Sequence, residues 1–295
     1  VHGEDLRRLW LIARVLGNLG LLGYFKYAGF LLDNVSDLSR AFGYEGAGWT
    51  LNVLLPVGIS FFTFQNLCYL LDIRRGETRP SDSALDYFLY LAFFPQLLSG
   101  PIVRPNLFLT QLQQPWKADA AGFQSGLQLA LLGFCKKVFL ADVIGTQLVN
   151  PAFSQPEAYH PLFLLLALYG FTVQLYLDLS GYTDMARGFA RMLGYDLPKN
   201  FDRPYAAASV GNFWQRWHIS MSSFFRDYLF FALGGSRYGN VYFNVLVTFV
   251  AIGIWHDAGW NYVVYGLCHG SMVAFERYRV NRRRALGLPA PVLTG

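Results

Sequence analysis

Apolar residues in this chain gather into long runs, with the polar residues concentrated between them. A helix that crosses a bilayer needs about 20 mostly apolar residues. Residues 9–32 meet that length, interrupted by Arg14 and Lys26, and 33–48 read as a polar connection. Residues 51–71 form the next run. Pro56, which has no backbone N–H, is expected to bend its start, and Gln65 and Asn66 inside it need partners on neighbouring helices. Residues 84–99 are apolar but lead into Phe93-Phe-Pro-Gln-Leu-Leu-Ser-Gly-Pro-Ile-Val-Arg104-Pro. That density of proline and glycine forbids one regular helix. A broken or re-entrant segment is expected, with an ordinary helix end and a Pro-rich loop as the alternative; irregular backbone at membrane depth survives only where protein or a watery cavity satisfies it.

Farther on, the adjacent Lys136 and Lys137 split 122–149 into two halves, and 150–161 read as a loop. Residues 161–179 form a clear span. Gly181 then reads as a tight turn into a short helix, with Asp184 near its start, where negative charge is favourable. Asp178 and Asp184 are expected to act as caps or as ion-pair partners of Arg187 or Arg191. Residues 213–233 mix apolar and charged positions and read as an amphipathic, interfacial stretch. The last two runs are 242–255 and 260–275, with Asp257 placed to N-cap the second. The pattern predicts an all-α, multi-pass membrane protein: one membrane-embedded domain over 1–295, with about six to nine embedded segments and no internal repeat.

Composition sharpens this picture. Charged residues are only 15% of the chain against about 25% in soluble domains. The net charge of +5 is spread over short clusters between apolar runs, as in the loops of a multi-span protein and unlike a nucleic-acid-binding patch. Cys68, Cys135 and Cys268 lie within apolar runs, without metal-ligand spacing, and an odd set argues against a disulfide framework. The chain opens at Val1 rather than Met and closes on a loop-like, Pro-containing tail, so a fragment is expected.

Chemistry-bearing residues concentrate between Asn212 and Gly270. His256 sits where two apolar runs meet, and an ionisable group there needs a reason. Imidazole is a general base near neutral pH, and acyl transfer to a hydroxyl needs such a base together with stabilisation of the oxyanion. His269 is the rival. It lies 13 residues on, which along an unbroken helix is about 20 Å away and on another face. His218 lies 38 residues before His256, an interval that holds a helix, a turn and a crossing; the two could meet, and an interfacial histidine explains His218 equally well. Trp255, Arg216 and Asp257 flank these histidines as candidate supporting residues, and Trp255 is equally an interface anchor. No G-x-S-x-G elbow, P-loop or dinucleotide fingerprint is present, and no metal is expected. A transporter built on broken helices, and a scaffold subunit holding an extracytoplasmic enzyme, are the competing classes; the first often shows internal repeats.

Several strings in fixed order carry a resemblance: Leu55-Pro-Val-Gly-Ile-Ser-Phe-Phe-Thr-Phe-Gln65, Phe93 to Arg104 as written above, Leu179-Ser-Gly-Tyr-Thr-Asp-Met-Ala186, Asn212-Phe-Trp-Gln-Arg-Trp-His-Ile-Ser220, Phe225-Arg-Asp-Tyr228 and Trp255-His-Asp-Ala-Gly-Trp260. With these the chain resembles the membrane-bound O-acyltransferase family, and within it the alginate O-acetyltransferase branch. The resemblance implies a helical fold around a tunnel, with His256 as the family's essential histidine. It also implies His218 at a second polar position that is Asn, Asp or His across the family. Asp257 stands where the branch usually has Gly, and the first 50 residues match only loosely. Further helices are expected before Val1 and after Gly295. The implied reaction takes acetyl groups from a cytoplasmic donor, acetyl-CoA, toward an exported polysaccharide or a partner acetyltransferase at the bacterial inner membrane. No bound cofactor is implied. A sister branch similarly moves D-alanine toward teichoic acid.

Overall fold

A computed structural model describes residues 2–44, 51, 53–97, 100–116 and 119–288, with the side chains of 2–4 left aside. Among these residues every regular element is a helix. The chain forms two compact units, residues 1–80 with 203–295, and residues 81–202.

The first unit opens with α1 (His2–Ala41) and α2 (Ile59–Arg75). The polar stretch after residue 32 does not end α1. Asn34 turns its amide back to Phe30 O at 2.6 Å, so it bonds within the helix it was expected to leave. The helix α2 starts later than the apolar run, at a left-handed Gly58 (φ 77°), so Pro56 precedes it rather than bending it. Asn66 donates to Asn18 on α1 at 2.8 Å, the kind of inter-helix amide contact the sequence required.

The second unit begins with α3 (Ala84–Ala92), capped by Ser83, followed by α4 (Phe94–Leu97) and α5 (Pro105–Leu112). The expected break is present. Gln96 Nε2 donates to Tyr90 O at 2.7 Å, and Tyr90 Oη donates to Val103 O at 2.8 Å, so side chains take carbonyls the irregular backbone leaves unpaired. Next come α6 (Ala120–Phe134), a π-helical stretch over Cys135–Ala141, α7 (Asp142–Ile144), a second π-helical stretch over Gly145–Val149, and α8 (Asn150–Ser154). The lysines therefore do not interrupt the helical path; they widen it. Residues 150–154, expected as loop, are helical as well.

One helix, α9 (Pro161–Met192), replaces the span, turn and short helix expected over 161–192. Gly181 is not a turn. A Cβ on it would stand 2.7 Å from Gly133 O, and one on Gly188 would stand 2.6 Å from Gly126 O, so these small residues let α6 and α9 touch backbone to backbone. Asp178 and Asp184 consequently lie inside a helix. Asp184 pairs with Lys136 at 2.6 Å and with Arg187 at 3.6 Å, while Lys137 pairs with Asp178 at 2.6 Å and Asp142 at 2.7 Å. Lys136→Ala would leave the half-buried Asp184 carboxylate with the longer Arg187 contact in place of its short one. The expected loss is roughly 1–3 kcal/mol, read as a lower melting temperature of the full-length protein in detergent and largely restored in Lys136→Arg.

Back in the first unit, α10 (Val210–Arg216) is capped by Ser209, α11 (Ile219–Phe225) runs into a π turn over Arg226–Phe230, and α12 (Val241–His256) is capped by Asn240. The hairpin partner of α12 is α13 (Trp260–Ala285). Asp257 does not cap α13: its Oδ1 accepts from Ala258 N at 2.8 Å, and Gly259 occupies the N-cap position without a side-chain bond.

Among the described residues two helices, over Asp5–Ala41 and Pro161–Met192, are long and apolar enough to cross a membrane, fewer than the runs in the sequence suggest. Few residues in their most apolar windows are fully buried, and Leu9, Trp10, Leu16, Leu162, Leu166 and Tyr169 are exposed, a surface suited to hydrocarbon. Of the cysteines only Cys68 is buried; Cys135 and Cys268 lie on exposed helix faces, so packing accounts for one of the three.

Candidate active site

The segment between α10 and α11 breaks at Trp217 and His218. Trp217 is extended (φ −99°, ψ 126°), and His218 turns left-handed (φ 44°, ψ 55°) before α11 starts. For a residue with a Cβ that conformation costs about 1–2 kcal/mol, and such outliers gather at functional sites. Among the described residues, Arg203 and His218 are the non-glycine positions with positive φ. The break is held: Ser222 N donates to His218 O at 2.9 Å, and Ser222 Oγ donates to Trp217 O at 3.2 Å. The result is a His218 side chain buried to 6% exposure.

His256 ends α12. The rings of His218 and His256 both meet one indole, with the Trp255 centroid 5.9 Å from His218 and 5.1 Å from His256. Phe64 of α2 backs this arrangement, stacked on Phe224 at 4.2 Å and on Trp255 at 5.5 Å. The ring path continues from His256 to Tyr265 at 5.8 Å, from Tyr265 to His269 at 4.5 Å, and from His269 to Trp214 at 5.3 Å.

The wide separation expected for His256 and His269 rested on an unbroken helix. The break at 257–259 folds α13 back along α12, and both histidines touch Tyr265. Arg216 is tied into its own helix, its Nε donating to Asn212 Oδ1 at 2.8 Å, and Asp257 is exposed. Tyr265 gave no signal in the sequence beyond membership of an apolar run, and Phe64 none beyond its place in the Leu55–Gln65 string.

His256 Nε2, His269 Nδ1, Trp255 Nε1 and Trp214 Nε1 are buried and meet no hydrogen-bond partner among the described residues. Buried polar atoms are nearly always paired, so each such group asks for a reason. A cluster of them along one ring path is what a site for a polar reactant looks like.

A cavity of about 580 Å³, lined by Trp214 of the ring path but by none of the three histidines, opens between four helices. Each wall is a stripe at helical spacing: Ile219, Ser222, Ser223 and Arg226 on α11, for example, and Val245, Thr248, Phe249 and Ile252 on α12. Trp214 lines the end nearest His269; Arg226, Arg277 and Arg284 also line it. Glu276, the acid in the lining, accepts from Gly211 N at 2.9 Å. The lining therefore joins an apolar passage to groups that suit an anion.

Comparison with known proteins gives the family. Residues 77–291, which include His218, His256 and His269, match the family described as "MBOAT, membrane-bound O-acyltransferase family". A Pseudomonas putida protein named "Probable alginate O-acetylase AlgI" is 38% identical over 276 residues, covering 91% of this chain and 55% of its own length. A "Peptidoglycan O-acetyltransferase" of Helicobacter pylori is 34% identical, covering 92% of this chain and 56% of its own length. A "Teichoic acid D-alanyltransferase" of Bacillus subtilis is 28% identical, covering 77% and 61% respectively. The chain thus spans about half the length of the curated relatives it matches. With the family match running over residues 77–291, through His218, His256 and His269, this protein belongs to the membrane-bound O-acyltransferase family.

Proposed function

We propose that this chain is the core of an O-acetyltransferase of the bacterial inner membrane. It would move acetyl groups from a cytoplasmic thioester donor, acetyl-CoA, toward an exported, alginate-like polysaccharide or a partner extracytoplasmic acetyltransferase. The observation that carries the reading is the pair of imidazoles that meet Trp255. In the proposed step the acceptor oxygen attacks the thioester carbon while His256 takes the hydroxyl proton. The carbon–sulfur bond then breaks, and the proton passes to the departing thiolate. His218 orients or polarises the reacting carbonyl. The cavity supports the donor assignment: arginines suit the phosphates of a coenzyme, and the apolar wall suits the arm that carries the thioester. The printed names of the relatives support an exported-polymer acceptor, with acetyl favoured over D-alanyl by the higher identities.

The test uses full-length protein in proteoliposomes with labelled acetyl-CoA inside and polysaccharide outside. Label on the polymer, or on a co-reconstituted partner acetyltransferase, is expected. Transfer from a D-alanyl thioester instead would redirect the reading to the teichoic-acid type of reaction. Accumulation of solute without transfer would replace it with a transporter.

A further inference from the structure

The helix α12 stops at His256 because Asp257 swings into extended backbone (φ −163°, ψ 169°). The last four carbonyls of a helix have no donor within it, and in hydrocarbon such groups must be satisfied by other protein. Here α1 supplies the donors. Tyr27 Oη donates to Ile254 O at 2.7 Å, and Lys26 Nζ donates to Trp255 O and, at 3.0 Å, to His256 O. Farther along the same face of α1, Asn34 Oδ1 accepts from Trp260 Nε1 at 2.8 Å, and Phe30 meets the Trp260 ring at 5.9 Å. One face of α1 thus grips both sides of the 257–259 break. A lysine within a long apolar helix is expensive and faces protein or water when it occurs. This one sets its positive charge at the negative end of the α12 dipole. Lys26 lies outside the stretch matched to the family, so nothing in that match assigns it a role.

We propose that Lys26 is a positioning residue for acyl transfer: with Tyr27 it is the C-terminal cap of α12, lent by α1, and it fixes where the His256 ring stands against Trp255 and His218. The proposal rests on the reading of His256 as the base. Lys26 meets the site through the backbone carbonyls of Trp255 and His256 and through the Trp255 ring, whose centroid is 5.9 Å from its Nζ, so its loss shifts geometry without removing a reacting group. A misplacement of about 1 Å in a site costs on the order of 10²-fold in rate.

The experiment compares Lys26→Met, Lys26→Arg, Tyr27→Phe and His256→Ala in the full-length protein, by acetyl-transfer kinetics and by hydrogen exchange over residues 250–262. Lys26→Met is expected to lower kcat about 10²-fold with donor KM unchanged, and to expose the backbone of 254–262 to exchange. Lys26→Arg, which keeps charge and donors, restores both. Tyr27→Phe moves both readouts in the same direction by less, and does so without placing a new side chain in the helix. Wild-type kcat and exchange in Lys26→Met overturn the proposal. If His256→Ala transfers normally, the base assignment falls; the cap is then judged by exchange alone, with lost protection in Lys26→Met supporting it and unchanged protection overturning it.

Discussion

His256→Ala in the full-length protein is expected to lower acetyl transfer by about 10²–10⁴-fold, the usual contribution of a positioned acid–base group, without loss of folded protein. The substitution removes a ring whose Nε2 has no hydrogen-bond partner among the described residues. It leaves the backbone carbonyl that Lys26 holds. Detergent-solubilised variant and wild type should therefore melt within a few degrees of each other while turnover differs by orders of magnitude. His269→Ala is the informative contrast. Its ring packs between Tyr265 and Trp214 near the cavity, two rings farther than His256 from the His218–Trp255 pair, so a much smaller effect on kcat is expected. Full transfer by a well-folded His256→Ala protein would remove this residue from the reaction.

Gly253→Val should have its large effect on assembly rather than on chemistry. A Cβ at Gly253 would lie 2.1 Å from Tyr262 O, and the facing Gly266 is equally constrained, with Phe249 O 2.5 Å from its built Cβ. Both obstacles are backbone, which no side-chain rotation relieves. Overpacking a core typically costs about 1–3 kcal/mol and occasionally more. Here the helices α12 and α13 would have to separate, and with them the residues carrying His256 and His269. The expected result is little or no monodisperse protein from a membrane extract. Gly17→Ala on α1, where an added Cβ meets nothing within 4 Å, should leave yield and melting temperature as they are. Equal behaviour of the two variants would show that the α12–α13 contact is looser than its geometry.

Much of this was readable before any coordinates. The apolar runs marked most helices, and the Pro/Gly density after Phe93 marked the break between α3 and α5. What escaped the reading depended on partners far away in sequence. Ser180-Gly181 looks like a helix stop when taken alone; it is a contact point, because Gly133 sits against it. Asp184 looks like an N-cap beside a glycine; it is the mid-helix partner of Lys136. Residues 33–41 are polar enough to suggest a loop, yet Asn34 is retained in the helix and reaches Trp260. The rule of helical rise that separated His256 from His269 was sound, but it applied to a helix that the Asp257–Gly259 break does not allow. Lys26 read as a flaw in an apolar run because nothing local reveals that its partners are carbonyls 229 and 230 residues on.

The left-handed backbone at position 218 acts as a filter on chemistry. Apart from glycine, the residues that enter this region most readily are asparagine, aspartate and histidine. Those three are the side chains that the resemblance read from the sequence implies at this position. A kinked main chain thus narrows the available reagents to short polar groups before any substrate arrives. Exchanging histidine for asparagine there changes the reactive group and leaves the bend intact, whereas a β-branched residue would have to straighten the bend and carry the ring stack of Trp255 with it.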